Sequence, residues 1–316
     1  MTGVELVMAC AIDGLIGDPR WLPHPVRLMG RVIDWYEGRV RAMVDTPAGE
    51  RVAGVLLAAA LPALAYVGVW YAIELGRGVH DIVGVLVVVG LGATTLAARD
   101  LVDHAREVLR SLQTGTVEDA RRAVSKIVGR DTANLSESDI VRATVESIAE
   151  SASDGVVAPL FYLALGGPPL ALAYKGINTL DSMVGHQDAP YRHFGWASAR
   201  LDDAANWIPA RLTAVLLVLA ACLYTRTGKV AWRTLRRDGH KHPSPNSGRP
   251  EAAMAGALRV RLGGLAMYDG KPVERPFLGD GASNLEPFHI TSALRLMILA
   301  AALAGAASVG ALILLS

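Results

Sequence analysis

Apolar positions along this chain fall into two patterns, unbroken runs and stripes that return every three or four residues. Val52 to Leu75 holds a single acid, Glu74; Ile82 to Ala98 carries no charge; Leu294 to Ser316 carries only Arg295. Each run approaches the roughly 20 residues needed to cross a hydrocarbon core of about 30 Å. Asp154 to Tyr174 is apolar but interrupted by "GGPP" at 166–169, and Leu212 to Thr225 is short for a span. Runs of that kind are read as re-entrant or buried elements. The pattern predicts an all-α, polytopic membrane protein with four to six transmembrane or re-entrant helices and amphipathic cytoplasmic helices. It reads as one integral-membrane catalytic domain over 1–316. The opening "MTGVELVMACAIDGLIGDP" lacks a basic n-region and a small-residue cleavage site, so it is not read as a removable signal peptide.

Polar, site-bearing connections lie near 18–51, 99–153, 175–207 and 226–293. If every apolar segment crosses, the first, second and fourth share one side. Their Lys and Arg content places that side in the cytoplasm, and 175–207 then lies opposite. If 154–174 instead dips and returns at "GGPP", the polar motifs meet on one face, where irregular backbone is buried in protein or lines a cavity.

Helical stripes organise the second connection. Leu101, Ala105, Leu109 and Leu112 share a face that ends at Gly115. Thr116 with Asp119, leading to Ala120, Val124 and Ile127, and Ser136 with Asp139, are capping-box starts. The second opens a helix on which Glu146, Glu150 and Asp154 recur every four residues. Val141, Val145, Ile148 and Ala152 occupy the opposite stripe.

Composition changes the picture little. The 316 residues are 52% hydrophobic and 19% charged, with a net charge of +1 that gives no argument for nucleic acid. Mean hydropathy is +0.32, positive as few soluble domains are. Cys10 and Cys222 lie in separate apolar stretches without metal-ligand spacing and read as small buried hydrophobes.

Candidate chemistry gathers in four stretches. The acid row is either a solvated face or, where it meets the apolar segment, a Mg²⁺ platform completed by phosphate oxygens. Residues 174–211 concentrate Lys175, Asn178, Asp181, His186, Arg192, His193, Arg200, Asp202, Asp203, Asn206 and Arg211. Carboxylates and amides at one-turn spacing suit a hard cation, and the arginines suit anionic oxygens. The alternative is an interfacial loop anchored by Tyr191, Trp196 and Trp207. In "GDPRWLPHPVRLMG", residues 17–30, prolines hold His24 and Arg27 in place, as packed or as catalytic groups. In residues 240–258, Ser244, Asn246, Ser247 and Gly248 precede a helix, a ready anion site. Walker, H-E-x-x-H, G-x-S-x-G, Rossmann and CxxC motifs are absent. What remains suits phosphoryl or acyl-phosphate chemistry on an anionic substrate.

Five ordered motifs carry a resemblance: "GDPRWLPHPVRLMG", "VGRDTANLSESDIVRATVESIAESASDGVVAPLFY", "NTLDSMVGH", "YRHFGWASARLDDAANWIPARLT" and "HPSPNSGRPEAAMAGALRVRLGG". From about residue 13 to 265 the chain closely resembles the adenosylcobinamide-phosphate synthase family of cobalamin biosynthesis, the CobD/CbiB family. The resemblance implies a multi-pass enzyme of the cytoplasmic membrane with its active site on the cytoplasmic side. It implies an ATP- and Mg²⁺-dependent amide ligation between adenosylcobyric acid and (R)-1-amino-2-propanol phosphate. Association with other membrane-bound enzymes of the corrinoid pathway is a further expectation.

The family's motif residues fall on Asp18, His24, Pro25, Arg130, Asp131, Glu146, Glu150, Asp154, Asn178, Asp181, Asp202, Asp203, Asn206, Arg211, Ser244 and Asn246. Joined to the residue-level reading, Glu146, Glu150, Asp154 and Asp181 would hold one or two Mg²⁺ ions. Arg130, Lys175, Arg192, Arg200 and Arg211 would bind phosphate or carboxylate oxygens, with Arg27 beside His24 in the substrate-binding set. One acid or His186 would take the proton of the attacking ammonium. Two departures stand out: Ser151 replaces the family's usual asparagine, and Arg249 an aromatic. The rival readings are a Mg²⁺-dependent membrane phospho- or prenyltransferase and a transporter or sensor with an intramembrane acidic relay. The first lacks its paired D-x-x-x-D motifs here, and the second lacks self-similar halves. The proposed mechanism requires the scattered signatures to form one cation-rich chamber at the inner leaflet.

Overall fold

A computed structural model describes residues 1–18, 24–186 and 190–315. Positions 19–23 of the proline-rich stretch and 187–189 lie outside the described residues. In chain order the elements are α1 (Gly3–Ile16), α2 (Pro25–Arg41), α3 (Pro47–Val79), α4 (Asp81–Ala93), α5 (Ala98–Thr114), α6 (Val117–Val124) and α7 (Glu137–Ser151). A π-helical turn (Ala152–Val157) follows, then α8 (Ala158–Val184), α9 (Trp196–Ala205), α10 (Trp207–Leu223), α11 (Gly228–Asp238) and α12 (Gly248–Leu258). The strands β1 (Leu262–Tyr268) and β2 (Lys271–Leu278) precede α13 (Pro287–Leu315). Among the described residues the fold is all-α apart from this hairpin and an isolated bridge between Val260 and Ala282. Four helical runs, 47–79, 81–114, 137–184 and 287–314, are long and apolar enough to cross a membrane, with a fifth only if α9 and α10 count as one bent span.

The chain divides into two compact units. The first holds residues 1–97, 159–206 and 305–316. Its core packs Met29 and Ile33 of α2, Leu57 and Leu61 of α3, Leu172 and Leu180 of α8, and Phe194. Gly54 is required there, because a Cβ at that position would meet the Phe194 carbonyl oxygen at 1.9 Å. The "GGPP" interruption is a true break in α8: Gly166 and Gly167 leave helical geometry, and Gly167 sits at φ +66°. The ring of Tyr162, before the break, stacks on that of Tyr174, after it, with centroids 4.8 Å apart. In a straight helix these positions would be separated by about 18 Å along the axis, so the chain bends sharply at the glycine pair.

The second unit holds residues 98–158 and 207–304. At its centre α7 packs against α5, α6 and α12. Both capping boxes form as the spacing predicts, Thr116 with Asp119 and Ser136 with Asp139. The acid helix is not amphipathic in the expected sense. From Ile140 to Ala149 every residue except Arg142 is buried, on both stripes. Its continuation is also not plain α-helix: the wider turn over 152–157 carries Asp154, a form often found at functional sites. The hairpin was not read from sequence. Its turn, Asp269 at φ 49° and Gly270 at φ 73°, has the left-handed pair that an Asp-Gly hairpin turn requires. Asp238, buried at the end of α11, accepts from Arg237, Lys241 and the Gly279 amide, fixing the far end of β2.

Candidate functional site

The second unit gathers a cluster of acids and cations around α7. Glu146 is 3% exposed and forms a charge-assisted pair with Arg130, itself nearly enclosed. Its other oxygen, Oε1, accepts from the Gly263 amide at 2.8 Å. That amide is reachable because Gly263 lies at φ +83°, where a Cβ would strike the Pro276 carbonyl oxygen at 2.3 Å. Burial works against the Arg130 charge, but Glu146 outweighs it and holds the guanidinium above its usual pKa. One turn on, Glu150 is exposed, and its Oε1 accepts from the Ser247 hydroxyl at 3.0 Å.

The Ser-Pro-Asn-Ser turn organises the other wall. Ser244 Oγ accepts from the amides of Asn246 and Ser247, both at 3.2 Å, as the chain enters α12. In the first turn of that helix Glu251 is 2% exposed. Burial, and then the neighbouring Glu146 and Glu150, push its carboxyl well above the ordinary range, which favours the protonated form. His242 Nδ1 accepts from the Ser244 amide at 3.0 Å, so the neutral ring carries its proton on Nε2, 3.9 Å from a Glu251 oxygen. Burial and Arg275 lower the His242 pKa, which keeps that ring neutral. The cluster therefore pairs one exposed carboxylate with hydroxyls, over a buried layer in which charge is balanced by arginine and by a retained proton.

The first unit holds a second polar cluster. Asn206, 1% exposed, donates from Nδ2 to Asp202 at 2.9 Å and accepts at Oδ1 from the Tyr174 hydroxyl at 2.9 Å. The Tyr162 hydroxyl donates to the Ala205 carbonyl at 2.8 Å, so the stacked tyrosines of α8 clamp the end of α9. Asp202 also faces Asp181 and Asn178, which lie one turn apart on α8. The bend at Gly166–Gly167 thus supports a set of carboxylates and amides drawn from the polar stretch 174–211, of which the sequence spacing had singled out 202 and 206.

The remaining expected residues fall as follows. Asp18 and His24 pair with each other at 3.1 Å, while Arg27 is exposed on α2. Lys175 lies on α8 near the same face as Asn178; Arg200 pairs with Asp203 at 3.3 Å on the α9 surface. His186 sits beside the Tyr191 ring, and Arg192 is exposed. Arg211 lies over Trp207, 4.0 Å from the ring centre. Asp131 accepts from the Gly270 amide of the hairpin turn. Asp18, His24, Arg27, Lys175, Asn178, Asp181, His186, Arg192, Arg200, Asp202, Asp203 and Asn206 belong to the first unit. Arg130, Asp131, Glu146, Glu150, Asp154, Arg211, Ser244 and Asn246 belong to the second. Among the described residues no three His, Cys, Asp or Glu side chains form a ready metal cage.

Sequence reasoning missed His242, Glu251, Arg275, Tyr162 and Tyr174. His242 stood inside a quoted motif, and Glu251 was the one acid in a run of small apolar residues, a signal that it would be buried.

The family model described as CobD/Cbib protein matches residues 6–297. The cobalamin biosynthesis protein CobD of Geobacter metallireducens is 50% identical over 295 residues, covering 93% of this chain and 92% of its own. The CobD protein of Klebsiella pneumoniae is 44% identical over 98% of this chain and 97% of its own. The cobalamin biosynthesis protein CbiB of Salmonella typhi is 42% identical, covering 96% and 95% respectively. No solved structure matches the chain. With a family model and full-length relatives in agreement over a fold of membrane-length helices, the chain belongs to the CobD/CbiB family of cobalamin biosynthesis.

Proposed function

We propose that this protein is an adenosylcobinamide-phosphate synthase, joining the free propionate of adenosylcobyric acid to the amine of (R)-1-amino-2-propanol phosphate. The observation that carries the reading is the second unit's cluster, where Glu150 and the serine turn lie open above Glu146, Arg130, Glu251 and His242. A carboxylate is a poor electrophile. Attack of a propionate oxygen on the γ-phosphorus of ATP releases ADP and leaves an acyl phosphate. The amine nitrogen then forms the C–N bond as the carbon–oxygen bond to phosphate breaks, and the ammonium proton passes to a base.

Mg²⁺ fits the exposed edge of this cluster on the chemistry of its donors, since the Glu150 carboxylate and the Ser247 hydroxyl offer only oxygen, which a hard cation prefers. The ion would neutralise charge on the transferred phosphoryl group. Glu146 is committed to Arg130 and the Gly263 amide, and so acts by positioning the wall beneath. Asp181, Asp202, Asn178 and Asn206 form a second oxygen-rich set that we assign to substrate binding. The basic connections favour a cytoplasmic-membrane location with the site on the cytoplasmic side.

The test is direct. Purified protein in detergent is incubated with adenosylcobyric acid, aminopropanol phosphate and Mg-ATP, and the product is followed by mass. One amide and one ADP should form for each corrinoid consumed. A folded, membrane-inserted protein that yields ADP without amide, or neither, overturns the reading.

A further inference from the structure

A cavity of about 450 Å³ opens in the second unit between the loop entering α7 and the β-hairpin, apart from the acid cluster. Its walls are mostly apolar, from Leu135, Leu265, Met267 and Phe277. Leu265 is 63% exposed and Phe277 45% exposed, so the hairpin leaves a flat hydrophobic surface uncovered. The Arg261 guanidinium lies 4.3 Å from the centre of the Phe277 ring, a cation stacked on an aromatic face. Arg142 lines the same cavity. One of its Nη atoms donates to Asp139 at 2.7 Å, but its Nε is buried and has no hydrogen-bond partner among the described residues. A buried donor left unmade is costly, so this nitrogen calls for an oxygen from outside the chain.

These features select a ligand class. Apolar walls with a stacked guanidinium suit a planar aromatic ring, and the open Nε suits an anionic oxygen. A phosphorylated amino alcohol has no ring to fill the apolar walls. A lipid tail would leave both guanidinium groups unused. A nucleoside polyphosphate uses all of them, and the volume lies within the usual range of small-ligand pockets.

The cavity adjoins the residues that hold Glu146. Its wall residues Asp131 and Gly264 directly follow Arg130 and Gly263, the two groups that hold Glu146. Along α7, Arg142, Glu146 and Glu150 succeed one another at one-turn intervals, over about 12 Å. The pocket and the acid cluster therefore share one helix, with Arg142 at the pocket end and Glu150 two turns on.

We propose that this pocket binds a nucleoside polyphosphate, with the base against Phe277 and Arg261 and a phosphate oxygen on Arg142. The assignment deepens the ligation reading and rests on it for the role of the nucleotide. Two measurements test it on the full-length protein. Ultraviolet crosslinking with 8-azido-ATP should label peptides within 131–142 or 261–277, and excess ATP should protect them. In steady-state assays Arg261→Ala and Phe277→Ala should each raise KM for ATP about tenfold, with KM for the amino alcohol phosphate unchanged.

Labelling elsewhere overturns the assignment even if a variant fails to fold, because it is read on the unsubstituted chain. A rise in KM for the amino alcohol phosphate instead of ATP, or no rise in either, also overturns it. Protected labelling in the pocket without any amide product would sink the ligation reading and leave the site standing.

Discussion

Replacing Arg130 by methionine removes one partner of a pair whose side chains are 9% and 4% exposed. The methionine fills much of the volume, so the energetic change is chiefly electrostatic. Glu146 would remain buried with the Gly263 amide alone, beside Glu150 and Glu251. Breaking a buried ion pair from one side costs about 3–5 kcal/mol. That is a rise of roughly two to four powers of ten in the unfolding constant. In the double variant Arg130→Met with Glu146→Gln the charge is gone and the Gly263 amide keeps an acceptor. The cost then falls to about 1–3 kcal/mol, that of an imperfectly paired amide. The assay is denaturant titration in mixed micelles followed by tryptophan fluorescence, with these two variants and the single Glu146→Gln variant compared in a double-mutant cycle. A loss below about 1 kcal/mol for Arg130→Met, or additivity in the cycle, would falsify the claim that this pair organises the site.

Three further outcomes are expected. Glu150→Gln should lower ligation by roughly 10²-fold or more while the thermal midpoint stays close to that of the unsubstituted protein, since the side chain is exposed. Glu251→Gln should change how stability depends on pH. The native carboxyl holds its proton above the ordinary value of 4.5, so stability of the unsubstituted protein falls as pH rises from there through the native pKa. The variant should lack that slope in parallel melts; His242, present in both, cancels. Tyr174→Phe should cost about 1–2 kcal/mol by leaving Asn206 Oδ1 without its phenolic donor, and equal melts for the two proteins would deny the clamp.

Much of this architecture was legible because it is written in local chemistry. Long apolar runs gave α3 and α13, and Thr116–Asp119 and Ser136–Asp139 gave helix starts within a residue. The one-turn spacing of Asp202 and Asn206, read as suited to a hard cation, places the two side chains in a hydrogen bond with each other. Pairings across many residues were not legible. Nothing in the neighbourhood of Glu146 says that Arg130 and the amide of Gly263 will neutralise it, because those partners are chosen by tertiary packing. The hairpin was missed for a different reason. Its outer strand, "KPVERPFL", carries two prolines and mixed charges, which hide the alternation that the Asp-Gly turn would otherwise have announced.

The widened turn at 152–157 has a consequence for chain length. A π turn holds more residues per revolution than an α turn, so it is where this helix can surrender one residue by tightening. A single deletion there leaves the phase between Glu146 and Glu150 untouched. The same deletion four residues earlier, between those two acids, would swing one relative to the other by roughly 100° and carry Glu150 off the serine turn. Insertions and deletions should therefore be tolerated very unevenly along a stretch that looks uniform when written as letters.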